Sequence, residues 1–224
     1  MDNFNNISQQ TPIIQTKNLT HSFDYPLFKN IDFVLNEKQT IAIVGASGCG
    51  KSTFLNILSS LLKPNSGEVL FNGKDIYSLN KDELLKIRRN DFGIIFQSHY
   101  LFRGFNATEN LEIASLISEN SIDTQLLEDL NIDHVMEQNI GELSGGQQQR
   151  LSIARVLTKQ PKVIFADEPT GNLDKETAND VMKTLFEYIE ANDSGLVLVT
   201  HEEDLANLCD KVYKLEDLQL QEIK

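Results

Sequence analysis

Between Thr40 and Ser52 the chain runs Thr-Ile-Ala-Ile-Val and then Gly-Ala-Ser-Gly-Cys-Gly-Lys-Ser, and no other stretch limits the fold as strongly. The unbroken apolar run predicts a strand covered on both faces, the kind found in parallel sheets packed between helices. From Gly45 to Ser52 the sequence matches G-x-x-x-x-G-K-[ST], and the helical pattern over 51–62 supplies the helix that must follow. Strand, glycine-rich turn and helix start make a cradle for phosphate. Glycines let backbone N–H groups curl around phosphate oxygens, and the helix N-terminus favours anions. Lys51 adds a point charge and Ser52 a hydroxyl for Mg2+. The candidate nucleotide-binding residues are therefore Gly45, Ala46, Ser47, Gly48, Cys49, Gly50, Lys51 and Ser52, with Thr53 next in the helix.

A second apolar strand, Lys162-Val-Ile-Phe-Ala, ends in two carboxylates, Asp167 and Glu168. At the carboxyl edge of a parallel sheet, one carboxylate suits the metal's water shell and the other, outside it, a general base for an attacking water. Asp167 is read as the metal residue and Glu168 as the base. A solvated strand end accounts for one acidic residue more easily than for two after so apolar a strand.

Further strands are expected at about 13–16, 31–35, 68–71, 92–96 and 196–200, and helices at 81–89, 146–158 and 175–191. The alternation argues for an α/β core. Between Gln97 and Ser144 strand signals lapse, and 107–118 and 124–138 read as helices, which implies a helical lobe inserted into the core. The expected organisation is one domain over 1–224: a polar leader at 1–11, an α/β core at 12–97 and 144–224, and the lobe at 98–143.

Bulk properties narrow the function classes. The chain of 224 residues carries 33 acidic and 20 basic residues, a formal net charge of −13, which disfavours a sequence-independent grip on nucleic acid. Cys49 and Cys209 have no metal-ligand spacing and no disulfide framework, so a reducing compartment is expected. No run approaches the roughly 20 apolar residues of a membrane span, and MDNFNNISQQ lacks the basic-then-apolar order of a signal peptide. A cytoplasmic protein, soluble by itself, is the expectation.

Leu143-Ser-Gly-Gly-Gln147, upstream of the Asp167/Glu168 strand, resembles the signature of ABC ATPases, the feature that separates them from other P-loop enzymes. The resemblance runs from about 13 to 215 and implies a P-loop NTPase (RecA-like) core with an N-terminal antiparallel β subdomain and an inserted α-helical subdomain. It also implies ATP and Mg2+ as ligands and a head-to-tail homodimer in which Ser144, Gly145, Gly146 and Gln147 of one copy close over nucleotide on the other. A helix start suits that role, because its free N–H groups bind a γ-phosphate without a basic side chain. Ser144 is equally an N-cap.

The remaining landmarks follow in order. Phe23 matches the aromatic that stacks on adenine, where Tyr is commoner in the family; Gln97, read as the end of the 92–97 strand, matches the glutamine linking the Mg2+ site to the lobe and membrane partner. Asp174 matches the loop aspartate between the two sites, and also suits an N-cap. His201 matches the histidine used on the γ-phosphate, and Thr200 with Glu203 has capping-box spacing, which would put His201 in a first helical turn. The resemblance thus assigns Glu168, His201, Gln97 and Lys51 to catalysis and Ser52, Gln97 and Asp167 to the metal.

Asp-Glu-Pro-Thr-Gly-Asn-Leu-Asp174 and Ser-Gly-Gly-Gln-Gln-Gln-Arg150 look like the group of lipoprotein-releasing, macrolide-efflux and cell-division ABC ATPases, and Gln97-Ser-His-Tyr-Leu with Ala107-Thr-Glu-Asn110 is most similar to the lipoprotein-releasing branch. That branch implies a separate membrane permease and a place on the cytoplasmic face of the inner membrane. The alternatives are a cell-division regulator and an efflux ATPase. Arg103-Gly104 stands where the group commonly has proline, and the segment from Asn110 to Leu143 is short for it, both where a membrane partner would dock.

Overall fold

The computed structural model describes residues 11–171 and 173–224; the expected leader, apart from Thr11, and Asn172 lie outside the described residues. In chain order the first half comprises β1 (Ile14–Ser22), β2 (Pro26–Leu35), β3 (Thr40–Val44), α1 (Lys51–Leu58), β4 (Ser66–Phe71), β5 (Lys74–Asp75), α2 (Lys81–Asn90) and β6 (Phe92–Ile95). The second half comprises α3 (Ala107–Ser118), α4 (Thr124–Asp129), α5 (Gly145–Thr158), β7 (Val163–Asp167), α6 (Lys175–Ala191), β8 (Gly195–Val199), α7 (Glu203–Ala206), β9 (Lys211–Glu216) and β10 (Gln219–Glu222). Two short 3-10 turns, Asp133–Val135 and Ile140–Glu142, complete the lobe between β6 and α5.

The strands form two sheets. One is antiparallel, in the order β2-β1-β4-β5; the other, in the order β10-β9-β3-β8-β7-β6, is parallel except for β10. Alternate side chains of the larger sheet feed different layers, as the period of two requires. Ile41, Ile43, Phe165, Val197 and Val199 face α1 and the antiparallel sheet, while Ala42, Ile164, Ala166, Leu196 and Leu198 face α5 and α6. Both faces are covered, which explains why these strands read as continuous apolar runs.

α1 is held between the sheets by Phe54, which meets Phe28 at 5.5 Å and Phe33 at 5.7 Å, both edge to face. Such a ring stabilises the fold by about 1.5–3 kcal/mol through burial, with about 0.5–1.5 kcal/mol more from each aromatic pair. A second chain of rings, Phe71–Phe92–Phe165, joins the antiparallel sheet to β6 and β7 at 5.1 Å per step.

Several expectations need correction. β1 and β2 are longer than the runs at 13–16 and 31–35, because their pairing continues through register shifts after Thr16 and Leu19 that break the alternation. The expected helix 124–138 stops at Asp129, since Asn131 takes a left-handed φ of 50° and ends it, a conformation Asn tolerates. α1 stops at Leu58 rather than 62, with Ser60 at φ 68°. The hairpin β9–β10 was not expected at all: β10 is a polar edge strand, and the turn uses Asp217 and Leu218, both at positive φ.

Burial separates the two cysteines. Cys209 is fully buried among the apolar residues under the sheet, and burial pushes its thiol up to about 12, while Cys49 is half-buried in the loop after β3. A maleimide in slight excess should modify one cysteine per folded chain and both after denaturation, counted by intact mass. Fast modification of both in the native protein would contradict this packing.

Candidate functional site

Register brings the site together. In the parallel ladder Ile43 pairs with Val199 and Asp167 with Val199, so β7 and β8 finish level, β3 runs one residue further to Val44, and Ile95 of β6 pairs with Ala166 one residue short of Asp167. The segments leaving these four strands begin with Gly45, Glu168, Thr200 and Phe96. They converge on one edge, the carboxyl edge at which α/β sheets bind ligands.

The loop after β3 is shaped by close approach. Gly45 has φ 152°, and a Cβ there would stand 2.6 Å from the Leu215 carbonyl oxygen of β9. Gly50, at φ 108°, is the N-cap of α1 and offers no side chain to its free N–H groups. The first turn of α1 is therefore left open to an external acceptor. Lys51 Nζ lies within this loop, donating to the carbonyls of Gly45 at 2.8 Å and Ala46 at 3.0 Å.

Across the edge, Ser52 Oγ donates to Asp167 Oδ1 at 3.0 Å. Burial raises the Asp167 carboxyl above the usual carboxylate range, opposed by that hydrogen bond, and the neighbouring Glu168 raises it further. Ser52 and Asp167 are hard oxygen donors short of positive charge, which suits Mg2+. Among the described residues no cluster of three or more His, Cys, Asp or Glu could hold a metal by itself. Phosphate oxygens would have to complete the shell, as is usual for Mg2+.

Glu168 sits at φ 50°, a left-handed conformation that is uncommon for a residue with a side chain, and its N–H donates to Val199 O at 2.9 Å. Its Oε2 is 2.7 Å from His201 Nδ1. This buried oxygen lies beside the imidazole without a hydrogen bond that meets strict geometry. Hydrogen-bonding contact with Glu168, reinforced by Coulombic attraction, holds the His201 imidazole above its ordinary range.

His201 itself is placed differently from expectation. It lies in a bend before α7, because Thr200 Oγ accepts from Glu202 N at 3.0 Å and no side chain caps the helix. The four-residue α7 begins only at Glu203. Gln97 is likewise beyond its strand, which ends at Ile95; it is exposed, and a Cβ on Gly171 would lie 3.9 Å from its amide nitrogen. The residue thus reaches the loop that follows Glu168.

Other candidates stand apart from this cluster. Ser144 caps α5 in a reciprocal box, with Gln147 N donating to Ser144 Oγ at 3.2 Å and Ser144 N to Gln147 Oε1 at 2.8 Å. Gly145 has no atom within 4 Å of a Cβ position, so its surface is open. Among the described residues no hydrogen bond or ion pair links Ser144–Gln147 to Lys51, Ser52, Asp167 or Glu168. Asp174 caps α6, accepting from Thr177 N at 3.0 Å and Thr177 Oγ1 at 2.7 Å, bonds that lower its pKa. Phe23 is exposed at the β1–β2 turn and shares a cleft with Lys51–Thr53.

Sequence reasoning missed Gln149, whose buried amide donates to Pro169 O at 2.6 Å and ties α5 to the loop after Glu168. Its signal was a polar residue on the inward stripe shared with Ser152, Ile153 and Val156. Thr200, which sets the His201 bend, was read only as a cap.

The fold and the edge cluster have counterparts among known proteins. The family model described as "ABC transporter" matches residues 28–171, more than half of the chain. A lipoprotein-releasing system ATP-binding protein LolD of Xanthomonas campestris pv. campestris is 40% identical over 204 residues, covering 88% of this chain and 85% of that protein. A macrolide export ATP-binding/permease protein MacB of Wolinella succinogenes is 37% identical over 222 residues, covering 94% of this chain and 34% of that protein, so the chain spans about a third of its length. The dimeric post-hydrolysis structure of the ATP-binding cassette MJ0796 with ADP and Pi superposes with a TM-score of 0.86 at 32% identity, covering 94% and 98% of the two chains. The chain belongs to the ABC transporter family, of which it is an ATP-hydrolysing cassette with the P-loop NTPase fold.

Proposed function

We propose that two copies of the chain clamp two ATP molecules head to tail, and that hydrolysis lets them part and so drives a separate membrane permease. The single observation that carries this reading is the incomplete edge. The P-loop, Asp167, Glu168 and His201 share one rim, whereas Ser144–Gln147 opens a different helix, with no hydrogen bond or ion pair to that rim among the described residues. A site closed by a second copy explains why a helix start with two adjacent glycines is left exposed. Asp174, at the start of α6, lies on the segment that would carry signals between the two sites. The arrangement fits one domain with a nucleotide core at 12–97 and 144–224 and a helical lobe at 98–143.

Within each site the free N–H groups of Gly45–Thr53 take the β- and γ-phosphate oxygens, and Lys51 exchanges its loop carbonyls for them. Ser52, Asp167 and Gln97 would hold Mg2+, which supplies charge neutralisation on the phosphates. Glu168 accepts a proton from the attacking water, and His201, in close contact beside it, orients to the γ-phosphate. Phe23 carries the adenine.

The membrane partner docks on the lobe. Tyr100, Phe102 and Leu116 are 66%, 49% and 81% exposed, and a groove of about 520 Å3 between β6, α3 and α5 is lined by apolar side chains with Arg88, Arg155 and Lys159. No helix among the described residues is long and apolar enough to cross a membrane. Lipoprotein release on the cytoplasmic face of the inner membrane is the favoured role, from the LolD relatives that the chain matches over 85–96% of their length in these cases. Efflux is the second reading, favoured by MacB relatives of equal similarity. ATP-driven transfer of an acylated lipoprotein out of permease-containing vesicles, against export of a macrolide, separates the two.

Glu168→Gln should bind ATP with near-wild-type affinity, hydrolyse it roughly 100-fold or more slowly, and accumulate as a dimer in sedimentation velocity with ATP. Rapid turnover by a monodisperse monomer would sink the proposal. Lys51→Ala should weaken nucleotide binding in the same assay.

The His201 contact gives a pH prediction. A raised imidazole pKa means that the charged pair with Glu168 stabilises the fold below the ordinary value of 6.5 and is lost as pH rises through the folded value. In an NMR titration without nucleotide, His201 should titrate above the same residue in the unfolded chain, and Glu168→Gln should bring it back. A wild-type value at or below the unfolded one would refute the contact.

A further inference from the structure

A P-loop recognises phosphate through backbone N–H groups and a lysine, and nothing in it responds to the base of a nucleotide. Base recognition has to come from another element, and the flat π-face of an aromatic side chain is the economical device for it. The β1–β2 turn reaches the P-loop with two aromatic residues rather than one.

β1 ends at Ser22 and β2 begins at Pro26, so the turn is Phe23-Asp24-Tyr25, closed by Phe23 N donating to Tyr25 O at 3.2 Å. Phe23 and Tyr25 are 59% and 60% exposed. Both line a cleft of about 250 Å3 that is also lined by Gly50, Lys51 and Ser52. Tyr25 alone of the two also lines an adjoining cleft of about 330 Å3 that reaches Cys49 and the β9–β10 turn. With Leu27 and Gly48 it borders both clefts.

The two rings are differently committed. Phe23 rests edge to face on His21 at 4.8 Å, and His21 is buried, its imidazole held below the ordinary range by desolvation, and without a hydrogen-bond partner at either nitrogen. One side of Phe23 is thus fixed from within. Tyr25 has no ring contact, and its hydroxyl no hydrogen-bond partner, among the described residues. Its backbone is nonetheless restricted, because it precedes Pro26 and is confined to extended conformations. The start of β2 is braced as well, by Lys29 N donating to Leu218 O and Gln219 Nε2 to Lys29 O, each at 2.9 Å. A large ring held out at the mouth of a phosphate cleft on a stiff turn is poised to cover a ligand.

We propose that Tyr25 is a second nucleobase-contacting residue, which with Phe23 makes the base subsite two-walled. The inference rests on the reading that Gly45–Thr53 binds the triphosphate of ATP. Contact through ring faces reads no base edge, so GTP shares the effect with ATP.

Isothermal titration of the full chain compares ATP, GTP and inorganic tripolyphosphate, a probe with no base. Tyr25→Ala should weaken ATP and GTP about 10-fold and leave tripolyphosphate within about 2-fold, with Tyr25→Phe retaining most of the affinity. Unchanged ATP affinity, or an equal loss for tripolyphosphate, overturns the proposal. Failure of the wild-type chain to bind either ATP or tripolyphosphate would instead remove the phosphate-site reading beneath it. Because the chain contains no tryptophan, Tyr25→Trp supplies an independent reporter. Its emission should change with ATP and not with tripolyphosphate, and an emission blind to both, in a variant that still binds ATP by titration, also overturns the proposal.

Discussion

The register shared by β3, β7 and β8 at their carboxyl ends is the constraint on which the rest of the molecule depends. Each ladder shift of one residue turns an inward side chain outward, and each also moves one loop about 3.3 Å along the edge. With Val199 pairing both Ile43 and Asp167, the P-loop, the carboxylate pair and the His201 bend emerge within one residue of the same height. The 3.0 Å hydrogen bond between residues as distant in sequence as Ser52 and Asp167, and the 2.7 Å Glu168–His201 approach, depend on that register. Apolar layers on both faces fix the register, so packing far from the site determines its geometry.

Sequence legibility follows the same division. Strands buried on both faces, such as Thr40–Val44 and Val163–Asp167, announce themselves through unbroken apolar runs, and the motifs at their ends carry fixed spacing. The antiparallel sheet was half legible: Ile14–Ser22 shows alternation only until its bulges displace the pattern. The hairpin β9–β10 was illegible because Gln219–Glu222 is polar and its turn places Leu218 in a left-handed conformation that no turn preference assigns to leucine. Residue identities at the site were readable while local backbone was not. Thr200 and Glu203 have capping-box spacing, yet the hydroxyl serves Glu202 instead, and His201 leaves the helix for a bend.

The two helix starts that would meet phosphate on the proposed reading are built in opposite ways. α1 has a glycine N-cap and no side-chain acceptor, so its donors are available to a ligand at once. α5 is closed by a reciprocal Ser144–Gln147 box, which occupies its third N–H and its cap. What α5 can still offer is the face of Gly145 and the earliest N–H groups, where no side chain intrudes. A bare helix start grips an anion alone; a capped one adds a weaker, geometry-dependent contact that counts only when a partner surface delivers the anion to it.

Charge sharpens this argument. A chain of net charge −13 repels a polyanionic substrate at long range, and salt screens that repulsion beyond about 8 Å. Inside that distance the local donors decide. Lys51 is held by the carbonyls of Gly45 and Ala46 rather than by a carboxylate, so an arriving phosphate need not break an ion pair to reach it. Asp167 lies across the rim, 3.0 Å from Ser52 Oγ, and whenever it is ionised its carboxylate repels phosphate unless a cation intervenes. On the proposed reading, a nucleotide that arrives with its metal is favoured over the bare polyanion, because the cation offsets one buried carboxylate in an otherwise donor-rich loop.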